Sequence, residues 1–148
     1  MGIEMSVVEI QCADDLAALT NEAIQQFRKS KQYRDLISAI LMANHIADWH
    51  YIKDLNRKDF SAPEREEMKN CYPEWDVIRQ LANGTKHCKA QATREGLQWG
   101  HRDFWSSAGH VGEDWQDWFV NVEGESRSVI VLIENFLNKF HDCASRPE

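Results

Sequence analysis

No stretch of the chain approaches the ~18 consecutive apolar residues that a membrane-spanning helix needs, and the first residues lack the basic-then-apolar pattern of a secretory signal. These two absences lead to the expectation of a cytoplasmic protein with no membrane partner. A cationic excess is missing as well. Lys and Arg number 17 against 24 Asp and Glu, a formal charge of -7, which argues against an extended nucleic-acid surface because that needs clustered cations. A few cations gathered in one cleft can still outweigh distant acids. The four cysteines (Cys12, Cys71, Cys88 and Cys143) include no CxxC pair. A zinc site of Cys71, Cys88 and histidines therefore lacks the close ligand pairs such sites use, and free thiols are expected. No repeat, low-complexity tract or composition break divides the chain. With 43% hydrophobic and 28% charged residues it is too apolar for disorder, and residues 1–148 read as a single helical domain large enough to hold a core.

Helical periodicity is what the chain does have. Asp14 and Asp15 suit a helix N-terminus, where their charge meets the positive end of the dipole. Leu16, Leu19, Ala23 and Phe27 follow on one stripe, with an end or bend expected near Ser30. From Gln32 to Lys53 no Gly or Pro interrupts a second helix, with Leu36, Ile37, Ile40, Leu41, Ala47, Tyr51 and Leu55 recurring at helical spacing. Ser61-Ala62-Pro63-Glu64 reads as an N-cap with proline early in a short helix. Pro73 introduces a third long helix, Glu74 to about His87, with Gly84 as its weak point. Val129, Ile130, Leu132, Ile133, Phe136, Leu137 and Phe140 give the last helix a wide apolar face, with Glu134, Asn138 and His141 outside.

Polar residues interrupt two of these patterns. With the second helix centred on Ile37, Ile40, Ala47 and Tyr51, rotation by about 100° per residue projects Asn44 and Asp48 from the middle of its apolar face. His45 falls at the border, with Trp49 beyond it. A buried Asp costs several kcal/mol unless it is paired, so a partner is expected. The third long helix offers one. Its apolar stripe is Val77, Ile78, Leu81, Ala82 and Cys88, with Trp75 at one border, while Asp76, Arg79, Asn83 and His87 line another face beside Lys86. Turned toward the second helix, that face would pair Asp48 with Arg79 or Lys86 and Asn44 with Asn83. The candidate ligand-binding set is therefore Asn44, His45, Asp48, Trp49, Arg79, Asn83, Lys86 and His87. A metal held by His45, Asp48 and His87 uses legitimate ligand types, but only the first two are local. Neither a resident metal nor a cofactor is expected. A solvated charged stripe and a structural ion pair are the plainer readings of the same residues.

Between Lys89 and Gly124 lie five of the seven glycines and four of the six tryptophans. Trp118-Phe119-Val120-Asn121-Val122 has the make-up of a short strand that can pair near Leu97 to Trp99. Trp99, Phe104, Trp105, Trp115, Trp118 and Phe119 either cap the open side of the bundle or line a pocket for a flat or cationic ligand beside Asp103, Glu113, Asp114 and Asp117. His101 and His110 read as loop residues. The fold class expected is all-α: a bundle of four main helices with a long aromatic insertion, two-stranded at most, before the last.

Two strings carry a resemblance. Ala43-Asn44-His45-Ile46-Ala47-Asp48-Trp49 and Leu81-Ala82-Asn83-Gly84-Thr85-Lys86-His87 resemble the A-x-H-x-x-D-W and A-N-G-x-K-H strings of a group of small bacterial helical proteins, some borne on mobile elements or gene cassettes. That group places a Pro-Trp-like helix start between the two, here Pro73-Glu74-Trp75. The similarity covers residues 40–90 and implies that His45, Asp48, Trp49, Asn83, Lys86 and His87 belong together, without implying an activity. The chain is more distantly similar in architecture to the HEPN helical-bundle ribonucleases, whose Arg and His sit four to six residues apart on one helix. Here seven residues separate Arg79 from His87, and Gln80 follows the Arg where that family has a small polar residue. Carried over, the likeness would make His87 the general acid or base and Arg79 the phosphate clamp. Three functions are thus expected in order: a binding or accessory protein with a polar pocket for a small molecule or peptide between the second and third long helices, a metal-independent ribonuclease, and a homodimeric interaction module.

Overall fold

A computed structural model describes residues 10–87, 98–102 and 115–144, with side chains described outside 85–87, 98–102, 115–117 and 143–144. The chain is mostly helical. Helix α1 (Ala13–Ser30) and α2 (Tyr33–Trp49) form a hairpin, and α2 runs on into a π turn (His50–Asp54). Helices α3 (Ala62–Cys71) and α4 (Pro73–His87) follow. Strands β1 (Gln98–Arg102), β2 (Trp115–Val122) and β3 (Glu125–Ser128) then form an antiparallel sheet in that order, and α5 (Val129–Ala144) closes the domain. No helix among the described residues is long and apolar enough to cross a membrane.

Local chemistry sets most of these boundaries. Helix α1 ends where Lys31 takes a left-handed conformation (φ 57°) and its N–H reaches the Phe27 carbonyl at 2.7 Å, closing the last turn. Its buried stripe is Ala13, Leu16, Thr20, Ile24 and Phe27, and Leu19 lies outside it at 39% exposure. Thr20 tolerates full burial because its hydroxyl donates to the Leu16 carbonyl at 2.8 Å within the same helix. The expected cap of α3 is present. The Glu64 carboxylate accepts the Ser61 N–H at 3.2 Å and the Ser61 hydroxyl at 2.5 Å. In α5, Val129, Ile130, Leu132, Ile133, Phe136 and Phe140 are buried, as the periodicity requires.

The second helix is rotated from expectation. Its buried residues are Leu36, Ala39, Ile40, Ala43, Ile46 and Ala47, while Ile37 is half-buried. The three alanines let neighbouring helices approach closely, and including them moves the centre of the face. Asn44 then lies about 90° from that centre, with Asp48 further round. Beyond Trp49 the helix widens into the π turn, in which the Leu55 N–H bonds the His50 carbonyl at 2.9 Å. The turn places Tyr51 in the core and lets Asp54 reach back to α1, where its Oδ1 accepts the Ala13 N–H at 3.3 Å.

The strand pairing anticipated in the aromatic stretch is present: Gln98 lies opposite Phe119 and Trp99 opposite Trp118. Strand β3 is an addition to it, joined to β2 by a two-residue turn. Glu123 (φ 53°) and Gly124 (φ 83°) both have positive φ, the signature of a type I′ hairpin. Trp118 packs at a tilt against Tyr33, with ring centroids 4.8 Å apart, and Phe119 is buried, so these two aromatics extend the core. Phe104, Trp105, Asp103, Glu113, Asp114 and His110 lie outside the described residues, as do the side chains of Trp99, His101 and Trp115.

Candidate functional site

Helices α2 and α4 meet through apolar packing and a side-chain hydrogen bond from Trp75. Trp75, Ile78, Leu81 and Ala82 form the buried face of α4, so Trp75 sits within the stripe rather than at its border. Its indole N–H donates to the main-chain carbonyl of Asn44 at 3.2 Å. Asp48 meets neither Arg79 nor any other group of α4 within ion-pair distance among the described residues. It pairs instead with His45 on its own helix, at 3.3 Å, with both side chains largely solvated (41% and 54% exposed). Arg79 is likewise satisfied on its own helix, its Nε and Nη2 donating to Asp76 Oδ1 at 3.1 and 2.8 Å. The rotation of α2 explains both outcomes, because an Asp at the solvated edge needs no buried partner.

Asn44 and Asn83 are half-buried, and Trp49 lines a small hollow of about 200 Å³ with Asp48, Ile52 and Lys53. The side chains of Lys86 and His87 lie outside the described residues, and with His87 goes the third ligand of the metal arrangement considered above. The structure thus joins His45 to Asp48 and Asp76 to Arg79, and leaves the two pairs separate.

A larger space opens on another flank of α4. There a cleft of about 720 Å³ lies between the end of α3, the first turns of α4 and the β2–β3 hairpin. Of the eight candidate residues, none whose side chain is described lines it. Val77 of α4, Val120 and Val122 of β2 and Leu132 of α5 supply its aliphatic surface. Alternation along β2 puts Val120 and Val122 on one face of the sheet, and Arg127, directly opposite Val120 in the register, shares that face. The polar lining comes from Lys69 and Asn70 of α3, Glu74, Asp76 and Gln80 of α4, and Asn121, Glu123 and Arg127 of the hairpin.

The charges of this lining are unevenly compensated. The Oε1 of Glu74 accepts from Lys139 of α5 at 2.5 Å, and its Oε2 is out of solvent contact, with no hydrogen-bond donor among the described residues. Asp76 has both oxygens occupied, Oδ1 by Arg79 and Oδ2 by the Gln80 amide at 3.0 Å. Lys69, in contrast, has no acidic partner within ion-pair distance among the described residues. Arg127 has only a long contact to Glu125, 3.4 Å between groups 49% and 74% exposed. Asp76 belongs to the polar stripe read on α4, Pro73 and Glu74 to its expected start, and Val77, Val120, Asn121, Val122 and Leu132 to expected helix faces or the expected strand. Nothing in the sequence joined these residues into one site, because they come from α3, α4, the hairpin and α5.

The chain matches no protein-family model, no curated protein and no solved structure.

Proposed function

We propose that this chain is a binding domain whose ligand site is the cleft between α4 and the β2–β3 hairpin. The observation that carries this reading is the cleft itself: about 720 Å³, an aliphatic floor and a rim of charged and amide groups from three elements. That volume and mixture are typical of sites that take a small molecule or a short peptide. Binding is favoured over catalysis because the two carboxylates in the α4 wall are each held by a cation, and a carboxylate so held is a poor general base. The ribonuclease reading is disfavoured by the commitment of Arg79 to Asp76, which competes with a phosphate for the guanidinium.

The test is a screen of small acids, amines, sugars and short peptides against isotope-labelled protein, read by amide chemical shifts. Ligands are expected to move Val77, Gln80, Val120 and Val122 together and to raise the melting temperature. Perturbations confined to Asn44, His45 and Asp48 would return the site to the α2–α4 flank and contradict this proposal.

A further inference from the structure

We infer that the cleft takes a zwitterion whose two charges are held apart by an aliphatic or peptide segment, an inference that rests on the cleft being the binding site. Most charges of the lining are already matched: Glu74 by Lys139, Asp76 by Arg79 and Arg127 by Glu125. Glu74 Oε2, which has no donor among the described residues, lies out of solvent contact and so is closed to a ligand. Two lining charges are left over, one of each sign. Lys69 stands in the last turn of α3 and Glu123 in the turn of the hairpin, both exposed. Neither has an ion-pair partner among the described residues, and although both line the cleft they do not pair with each other. The cleft therefore has no net charge, yet it presents a cation and an anion from two separate elements.

This arrangement sets the ligand class. An anion gains from Lys69 and is repelled by Glu123, and for a cation the signs reverse. A molecule that carries both charges gains from both residues. The segment between its charges lies over Val77, Val120, Val122 and Leu132, an aliphatic surface from which an alkyl chain gains by displacing water. Asn70 follows Lys69 in the chain and Asn121 lies two residues before Glu123, so each free charge has an amide of the lining near it in sequence. Such amides both donate and accept, as the peptide groups of a short peptide require.

The experiment compares 6-aminohexanoate, hexanoate and hexylamine by amide-shift titration of the full chain at low salt, read at Val77, Val120 and Val122. The zwitterion is expected to bind about fivefold more tightly than either singly charged chain, the size of one exposed ionic contact. In Lys69→Met its affinity should fall to that of hexylamine, and in Glu123→Gln to that of hexanoate. Exchanging the charges, Lys69→Glu with Glu123→Lys, should keep the preference, because the ligand can bind the other way round. Both residues are exposed, so an unchanged melting temperature will verify that the variants fold. Equal binding of all three probes, or tighter binding of a singly charged one, would overturn the ligand class and leave the cleft as a site. So would a preference for the zwitterion that survives Lys69→Met combined with Glu123→Gln. If none of the three binds while other molecules from the broader screen do, the class alone fails; if the cleft stays empty in both experiments, both proposals fail.

Discussion

At the scale of single residues, the Trp75 indole is the tie between α4 and α2. It is 1% exposed and carries one hydrogen bond, to the Asn44 carbonyl, within an aromatic series that includes Phe60 at 5.9 Å. Trp75→Ala is expected to cost about 3–5 kcal/mol in urea unfolding, and Trp75→Phe distinctly less, since it keeps part of the ring volume. Tyr51 sets an alkaline limit. Burial, reinforced by the charges of Glu67 and Cys71 and by a hydrogen bond with Glu67, pushes its hydroxyl from 10.0 to about 12 against the opposing pull of Arg57. A folded-state pKa above the unfolded one means that this stabilisation is complete below pH 10 and is lost as pH rises toward 12. Tyr51→Phe should therefore lessen the fall in urea midpoint across that window. Asp48 belongs at the other extreme. Its exposed pair with His45 is worth at most about 1 kcal/mol, so Asp48→Ala should leave unfolding nearly unchanged. A loss of several kcal/mol would mean that Asp48 has a buried partner after all.

Among the elements, the hairpin turn and the α3 cap make the sharpest predictions. Gly124 has φ 83°, and a Cβ added there would meet nothing within 4 Å, so any penalty for Gly124→Ala is backbone strain, roughly 1–2 kcal/mol. Glu123→Asn, placing a residue that accepts positive φ at the other central position, should raise the melting temperature modestly. At α3, the hydrogen bond from the Ser61 hydroxyl is the chief reason the Glu64 carboxyl lies below its ordinary 4.5. Its stabilising effect is present above that value and fades as pH falls through the lowered pKa. Ser61→Ala should move the Glu64 titration, followed by carbon NMR, back up toward the ordinary value.

The same elements show what periodicity can and cannot convey. The wide apolar face of α5, the cap of α3 and the pairing of Trp99 with Trp118 were legible because each depends on neighbours in sequence or on strong alternation. Strand β3 was not, because Glu125, Ser126 and Arg127 are all exposed on a short edge strand and carry no apolar alternation. The contact that the π turn lets Asp54 make with the start of α1 spans 41 residues and leaves no local trace in the sequence. On α2 the apolar moment misled, because Ala39 and Ala43 weigh little on a hydropathy scale yet define the closest packing.

For the whole molecule, function turns on how α3, α4, the hairpin and α5 enclose a cleft to which no single element contributes a recognisable motif. The polar character of α4 is legible in the sequence, but the surroundings of Asp76 and Gln80 are not: both line the cleft, and Arg79 donates to Asp76. The measurement that bears most directly on this account is amide chemical-shift mapping of a bound ligand on the full chain. The account predicts perturbations at Val77, Gln80, Val120 and Val122 that vanish when Val77→Trp fills the cleft and persist in Asp48→Ala. Perturbations centred on Asn44, His45 and Asp48 that vanish in Asp48→Ala would contradict it.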